Sequence, residues 1–127
     1  MQCLNCNKDI KSKIKKFCDN ACQNELSYKN YIKRWKSGLV SGGSKTGVVS
    51  NHVRRYLFEK FENKCSRCGW NHKNPVTGKI PLQAEHQNGN SRDHRESNLI
   101  LLCPNCHSLT PTYGNLNRGN GRKLRKR

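Results

Sequence analysis

Apolar residues recur at three- and four-residue steps through Cys22, Leu26, Tyr28, Tyr31, Ile32 and Trp35, the period of a helix with one apolar face. Asp19 or Asn20 can cap its start and Gly38 can stop it. A second such stretch runs through Val53, Tyr56, Leu57 and Phe61 behind Ser50 or Asn51, with Arg54, Arg55 and Lys60 on its other face. Residues 80–86 then change period and alternate apolar with polar, which predicts a strand, and Asn88-Gly89 after them signals a turn. Residues 98–102 form a short apolar run of strand length. Pro104 follows, at a position that suits the first turn of a helix. The pattern predicts a small α+β chain that ends in strand, loop, strand and helix.

Composition limits how this chain can hold together. Only 32% of its 127 residues are hydrophobic and 7% are aromatic, too few to offset easily the entropy lost on ordering a chain of this length. Domains this small commonly draw on metals or disulfides, and eight cysteines are present. They fall in two sets of four on either side of a Gly- and Ser-rich stretch at 38–49, which reads as a flexible linker. The expected organisation is a cysteine-rich module with a helix at 1–37, that linker, a second domain at 50–117, and a basic tail at 118–127.

Charge narrows the partner. Lys and Arg number 25 against 8 Asp and Glu, a formal charge of +17, which works against compaction and favours a polyanion. Nucleic acid fits first. No apolar run has the length of a membrane span, and residues 1–16 carry cysteines and lysines where a secretory leader would carry an apolar core. The expected compartment is therefore a reducing cytoplasm, where cysteines serve metals or catalysis more often than disulfides.

The cysteine spacing agrees. Cys65-x-x-Cys68 and Cys103-x-x-Cys106 read as two halves of one tetrahedral zinc site, with Gly69 easing the tight turn of the first. The second pair overlaps the expected helix start, whose N–H groups can stabilise thiolates. Cys3, Cys6, Cys18 and Cys22 read as a second zinc site, its last ligand supplied by the first helix. Four thiolates leave no open coordination position, so both sites read as structural. Redox cysteines, a disulfide scaffold, or a tail with incidental cysteines are the competing readings.

Glu85-His86, Asn98 and His107 lie between and just after the second set of knuckles. In this order, with the strings CSRCGW, LQAEHQNGN and SNLILLCPNCHSLTPTYGN, residues 50–120 resemble the HNH endonuclease family, in its zinc-containing form common among bacteriophages. The N-terminal module and linker also resemble an accessory of phage members. The resemblance implies a ββα-metal, treble-clef-like fold and hydrolysis of DNA to a 5′-phosphate and a 3′-hydroxyl. It implies His86 as general base, Glu85 and His107 as ligands of a catalytic magnesium or manganese ion, and Asn98 as a cross-loop tether of the His86 backbone. The chemistry suits these side chains: a neutral imidazole accepts a proton from water near neutral pH, and a hard cation with open positions stabilises phosphate charge.

Where many relatives place Asp before the first His, this chain has Glu85, a longer arm. Asp93-His94 is a second carboxylate–histidine pair, but it falls inside the expected loop, so His94 is expected to be exposed or near DNA; His72 and His52 read as surface residues. Arg54, Arg55, Lys60, Lys64, Arg67, Arg92 and Arg95 are candidate phosphate contacts, as are Arg122, Lys123, Arg125, Lys126 and Arg127 of the tail and the lysines of 8–16. No run of aromatics suggests a single-strand platform, so duplex DNA is the expected partner, met by a monomer or weak dimer. A zinc-finger regulator without catalysis and a secreted, disulfide-rich cationic toxin are the alternatives. Homing, restriction, host-DNA degradation and phage packaging are all roles open to such a nuclease.

Overall fold

The computed structural model describes residues 1–12 and 14–113. The tail arginines and lysines from Arg122 to Arg127 named above lie outside the described residues. The chain divides into two compact units, Met1–Val40 and Ser41–Arg127.

In the first unit, the Cys3–Cys6 knuckle closes through backbone bonds from Cys3 N–H to the Lys8 carbonyl (2.8 Å) and from Asn7 N–H to the Cys3 carbonyl (2.9 Å). Asn7 takes a left-handed conformation (φ 63°), one that asparagine tolerates better than most residues. Helix α1 spans Asn20–Lys36, and of the two caps expected Asp19 serves: its carboxylate accepts from Cys22 N–H at 2.8 Å. Tyr28, Ile32 and Trp35 are its buried residues, while Leu26 and Tyr31 of the expected stripe are half-buried. Lys33, Arg34 and Lys36 in the last turn complement the helix dipole. Gly38 ends the helix with φ +81°, and paired bonds, Gly38 N–H to the Trp35 carbonyl and Leu39 N–H to the Arg34 carbonyl, complete a Schellman cap. That cap carries the unit past the expected end at residue 37.

The second unit opens with a correction. Residues 41–49, expected as part of a flexible linker, form a tight folded turn. Gly43 and Val49 pair as an antiparallel bridge, Ser44 N–H reaches the Val48 carbonyl at 2.7 Å, and Ser50 N–H reaches the Gly42 carbonyl at 2.8 Å. Glycine and serine at these positions permit the reversal at Gly47 (φ +87°), so the composition served a turn and not a tether. Helix α2 (Asn51–Lys60) follows directly, capped by the Ser50 hydroxyl on Val53 N–H, and buries Val53 and Leu57.

Strands β1 (Gln83–His86) and β2 (Leu99–Leu102) form an antiparallel pair in the register Gln83↔Leu102, Ala84↔Leu101, Glu85↔Ile100 and His86↔Leu99. The first strand starts later than its alternation predicts, because Leu82 N–H turns back to the Ile80 carbonyl at 2.8 Å. A single 3-10 turn at Glu96–Asn98 feeds β2. Helix α3 (Pro104–Ser108) starts at Cys103, whose sulfur accepts from Cys106 N–H, with Pro104 in the first turn.

The core of this unit is small: Val53 and Leu57 from α2, Leu82, and Leu99, Leu101 and Leu102 from β2. Each such side chain contributes about 1.5–3 kcal/mol by leaving water, so no single one is dispensable. We predict that Leu57→Ala, at a fully buried position, lowers unfolding stability by about 2–5 kcal/mol. Chemical denaturation followed through the circular dichroism of the full chain would measure this, and a loss below 1 kcal/mol would contradict a core this spare.

Candidate metal centres and active site

Local sequence builds two clusters of sulfur. In the first unit the ligand atoms of Cys3, Cys6, Cys18 and Cys22 all lie within 4.8 Å of one another, and so do those of Cys65, Cys68, Cys103 and Cys106 in the second. Cys6 and Cys18 sulfurs are 3.8 Å apart, and Cys68 and Cys103 sulfurs 3.7 Å. A tetrahedron of 2.3 Å zinc–sulfur bonds places its sulfurs about 3.8 Å apart, so both groups are suited to hold zinc. The thiols themselves are at odds without a cation. Burial opposes ionisation of Cys65, yet backbone N–H groups at Cys103, Cys68 and Arg67 outweigh it and lower its pKa to about 6. Burial and the neighbouring sulfurs push Cys106 up to about 12. In the first unit, a backbone bond at Cys6 leads the causes that lower Cys3 to about 6, and the Cys22 thiol leads those that raise Cys18 to about 12. One thiolate forms readily in each group and resists its neighbours, a conflict that a divalent cation removes.

The second tetrad fixes the elements that carry the expected catalytic residues. Ser66 N–H, inside the first knuckle, bonds to the Leu101 carbonyl of β2 at 2.8 Å, and His107 directly follows Cys106 in α3. Glu85 lies on β1 opposite Ile100 and is buried. Its Oε2 and the His107 Nδ1 are 2.7 Å apart, and its Oε1 accepts from the Thr112 hydroxyl at 3.2 Å. The Tyr113 ring meets the His107 ring edge-on, with centroids 5.2 Å apart. Thr112 and Tyr113 fall inside the string SNLILLCPNCHSLTPTYGN but were not singled out from sequence, because their spacing gives neither a role.

Asn98 is buried and spans the loop between the strands. Its side-chain oxygen accepts from Asn88 N–H (3.0 Å), its amide donates to the Asn88 side-chain oxygen (3.0 Å) and the Asp93 carbonyl (2.8 Å), and its own carbonyl accepts from Gln87 N–H (2.8 Å). These bonds hold the backbone just beyond His86. That residue ends β1 and is half-buried. Burial lowers the His86 pKa to about 4, His94 adds to the effect and Asp93 opposes it, so the ring is neutral at physiological pH.

His94 corrects an expectation. It is buried, 4% exposed, and its Nδ1 lies 2.9 Å from His86 Nε2, while its Nε2 lies 3.0 Å from the Gly47 carbonyl oxygen. The loop position suggested exposure, but the folded turn at 41–49 covers it, and that turn lies far away in sequence. Asp93 beside it is held well below the usual carboxylate range by the Arg95 guanidinium, which binds both of its oxygens at 2.8 and 2.7 Å. His72 is exposed as expected, whereas His52 is half-buried at the start of α2.

The expected phosphate contacts divide. Arg54, Lys64, Arg67 and Arg92 are exposed. Arg55 pairs with Glu59 at 3.0 Å, Lys60 with Glu96 at 3.6 Å, and Arg95 with Asp93, so these three spend part of their charge within the protein. Arg54 also lines a groove with Phe58, Lys73, Lys79 and Leu82; Lys73 and Lys79 were missed because they stand singly in a loop. Among the described residues no helix is long and apolar enough to cross a membrane.

If both tetrads hold zinc, native mass spectrometry of the full chain will show two zinc ions per chain. Cys103→Ser should lose one ion and the ordered structure of the second unit. A Cys103→Ser protein that keeps both ions and its circular dichroism would refute the zinc assignment of that tetrad.

No family model and no solved structure matches the chain. Curated relatives do. The chain is 47% identical over 57 residues to the H-N-H endonuclease F-TflIV of Escherichia phage T5, covering 45% of this chain and 24% of that protein. It is 31% identical over 70 residues to the Zorya protein ZorE of Escherichia coli, covering 54% of this chain and 18% of the relative. The chain thus spans about a quarter or less of the length of these relatives. Within the matched segment it is similar to an H-N-H endonuclease, the family that its own order of Glu85-His86, Asn98 and His107 resembles.

Proposed function

We propose that this chain is a metal-dependent HNH-type endonuclease that hydrolyses DNA phosphodiester bonds to a 5′-phosphate and a 3′-hydroxyl, with strands β1 and β2 and helix α3 as a ββα-metal core. The observation that carries this reading is the approach of Glu85 Oε2 and His107 Nδ1 to 2.7 Å, from strand β1 and from helix α3, whose N-cap and first turn carry two cysteines of one sulfur tetrad. A non-catalytic zinc module has no use for a buried carboxylate aimed at an imidazole beside such a tetrad.

Glu85 and His107 are the residues that would hold the catalytic ion. One hard oxygen and one imidazole nitrogen suit magnesium or manganese and leave positions for water and phosphate. Thr112 and Tyr113 restrain both side chains. When bound, the ion relieves charge on the phosphate and on the departing oxygen. His86, neutral and on the next residue of the strand, accepts the proton of the attacking water. Asn98 holds the loop so that this imidazole keeps its place. The exposed Arg54, Lys64, Arg67 and Arg92, with Lys73 and Lys79, supply phosphate contacts that confer affinity without sequence choice.

The first unit, basic and suited to a zinc of its own, supplies phosphate contacts of its own. One active site per chain makes a nick the product of a single encounter by a monomer. The setting that fits the phage relative is the cytoplasm of a bacterial cell.

Conversion of supercoiled plasmid tests this reading. Wild-type protein should nick only with magnesium or manganese, and His86→Ala should lower the rate by about 10²–10⁴ while retaining zinc and DNA binding. Binding without cleavage across metals would favour a zinc-finger DNA-binding module instead. Glu85→Ala should raise the metal concentration needed for half-maximal nicking. An unchanged metal titration in that variant would remove Glu85 from the ligand set.

A further inference from the structure

The His94 contacts form a chain whose proton arrangement can be derived. The Gly47 carbonyl oxygen only accepts hydrogen bonds, so the His94 nitrogen 3.0 Å away, Nε2, must carry a hydrogen. A His94 ring that carries its one hydrogen at Nε2 has a lone pair at Nδ1. That lone pair faces His86 Nε2 at 2.9 Å, so His86 Nε2 must in turn be the donor. The hydrogen of His86 is thereby committed to its inner nitrogen, and Nδ1 is left as the lone pair. Among the described residues no hydrogen bond occupies His86 Nδ1.

The surroundings hold His94 in this relay from both sides. A Cβ at Gly43 would stand 2.9 Å from His94 Cδ2 and 3.0 Å from its Nε2, closer than side-chain carbons approach, so the imidazole seats directly on a glycine backbone. On the loop side, Asn98 bonds to the carbonyl of Asp93, and the Arg95 guanidinium clamps the Asp93 carboxylate, which fixes the residues flanking His94. The two rings lie 5.0 Å apart between centroids and 53° from parallel, an angle set by the bond and not by stacking. No short motif joins these residues: Gly43 and Gly47 precede α2, and His94 follows β1.

We propose that His94, seated on Gly43 and anchored to the Gly47 carbonyl, is a positioning residue that locks His86 in the Nε2–H tautomer and so presents Nδ1 as the acceptor of the water proton. This rests on the reading of His86 as general base, yet the tautomer can be measured without cleavage. The 41–49 turn thereby belongs to the active-site architecture: losing the Gly47 anchor frees His94 to reverse its donor and acceptor, and His86 with it.

Two readouts on the full-length, zinc-loaded protein test it. Nitrogen-15 imidazole NMR should find His86 of the wild type protonated at Nε2, and His94→Phe, which keeps a ring without a hydrogen-bond acceptor, should give a mixture of tautomers. In plasmid nicking, His94→Phe should lose about 100-fold with zinc content and DNA binding unchanged. His94→Gln, whose amide keeps one acceptor and one donor, should recover at least part of that loss. Gly43→Ala, remote from the strands in sequence, should shift the tautomer in the same direction as His94→Phe. Wild-type nicking by His94→Phe, or a wild-type His86 protonated at Nδ1, would overturn the proposal. A wild type that shows the Nε2–H tautomer but cleaves under no metal would sink the nuclease reading and leave the relay standing.

Discussion

Four sulfurs confined within 4.8 Å are the constraint on which the second unit depends. Such crowding is unfavourable for thiols alone, because each added thiolate faces its neighbours in a partly dry site. A divalent cation held there would turn that repulsion into attraction. The aliphatic core of Val53, Leu57, Leu82, Leu99, Leu101 and Leu102 could not by itself offset the entropy of ordering the loops around it. A metal-bound tetrad would supply the difference where it is needed, joining the knuckle after α2 to the start of α3, with β2 between them.

Geometry follows from that joint. His107 is placed by Cys106 directly before it, and Glu85 by pairing with β2, which the knuckle touches through Ser66 and Leu101. A carboxylate and an imidazole therefore meet without long helices or a large sheet behind them. The cost is that little of the site is buffered: Thr112 and Tyr113, just past α3, are part of what holds Glu85 and His107. Restraint of the loop beyond His86 comes instead from polar bonds, most of them centred on Asn98 and Asp93. Buried amide networks of this kind are directional, so they fix a loop conformation more sharply than apolar contact would.

Charge is spent in two ways on this surface. A formal +17 suggests a uniform basic coat, yet Arg55, Lys60 and Arg95 are engaged by Glu59, Glu96 and Asp93. The Glu96 carboxylate also receives the Tyr56 hydroxyl, which ties α2 to the turn before β2. Asp93 and Glu96 flank His94 in sequence, so part of the basic excess organises the protein itself, while Arg54, Lys64, Arg67 and Arg92 stay exposed.

The sequence by itself determined whatever is written in neighbouring residues. The Cys-x-x-Cys pairs, the caps Asp19 and Ser50, the stop at Gly38, both strands and the proline start of α3 were all legible, because each depends on interactions within a few positions. The order of Glu85-His86, Asn98 and His107 was legible as a motif, through its resemblance to a known family. Only the tertiary structure decided that residues 41–49 fold into a turn, that His94 is buried against that turn and His86, and that Thr112 reaches Glu85. His94 reads as a loop residue from its neighbours because its partners, Gly43 and Gly47, lie some fifty residues away and their glycine backbone has no side-chain signature. Burial and hydrogen-bond partnership are properties of where distant segments meet, and a local pattern carries no record of that meeting.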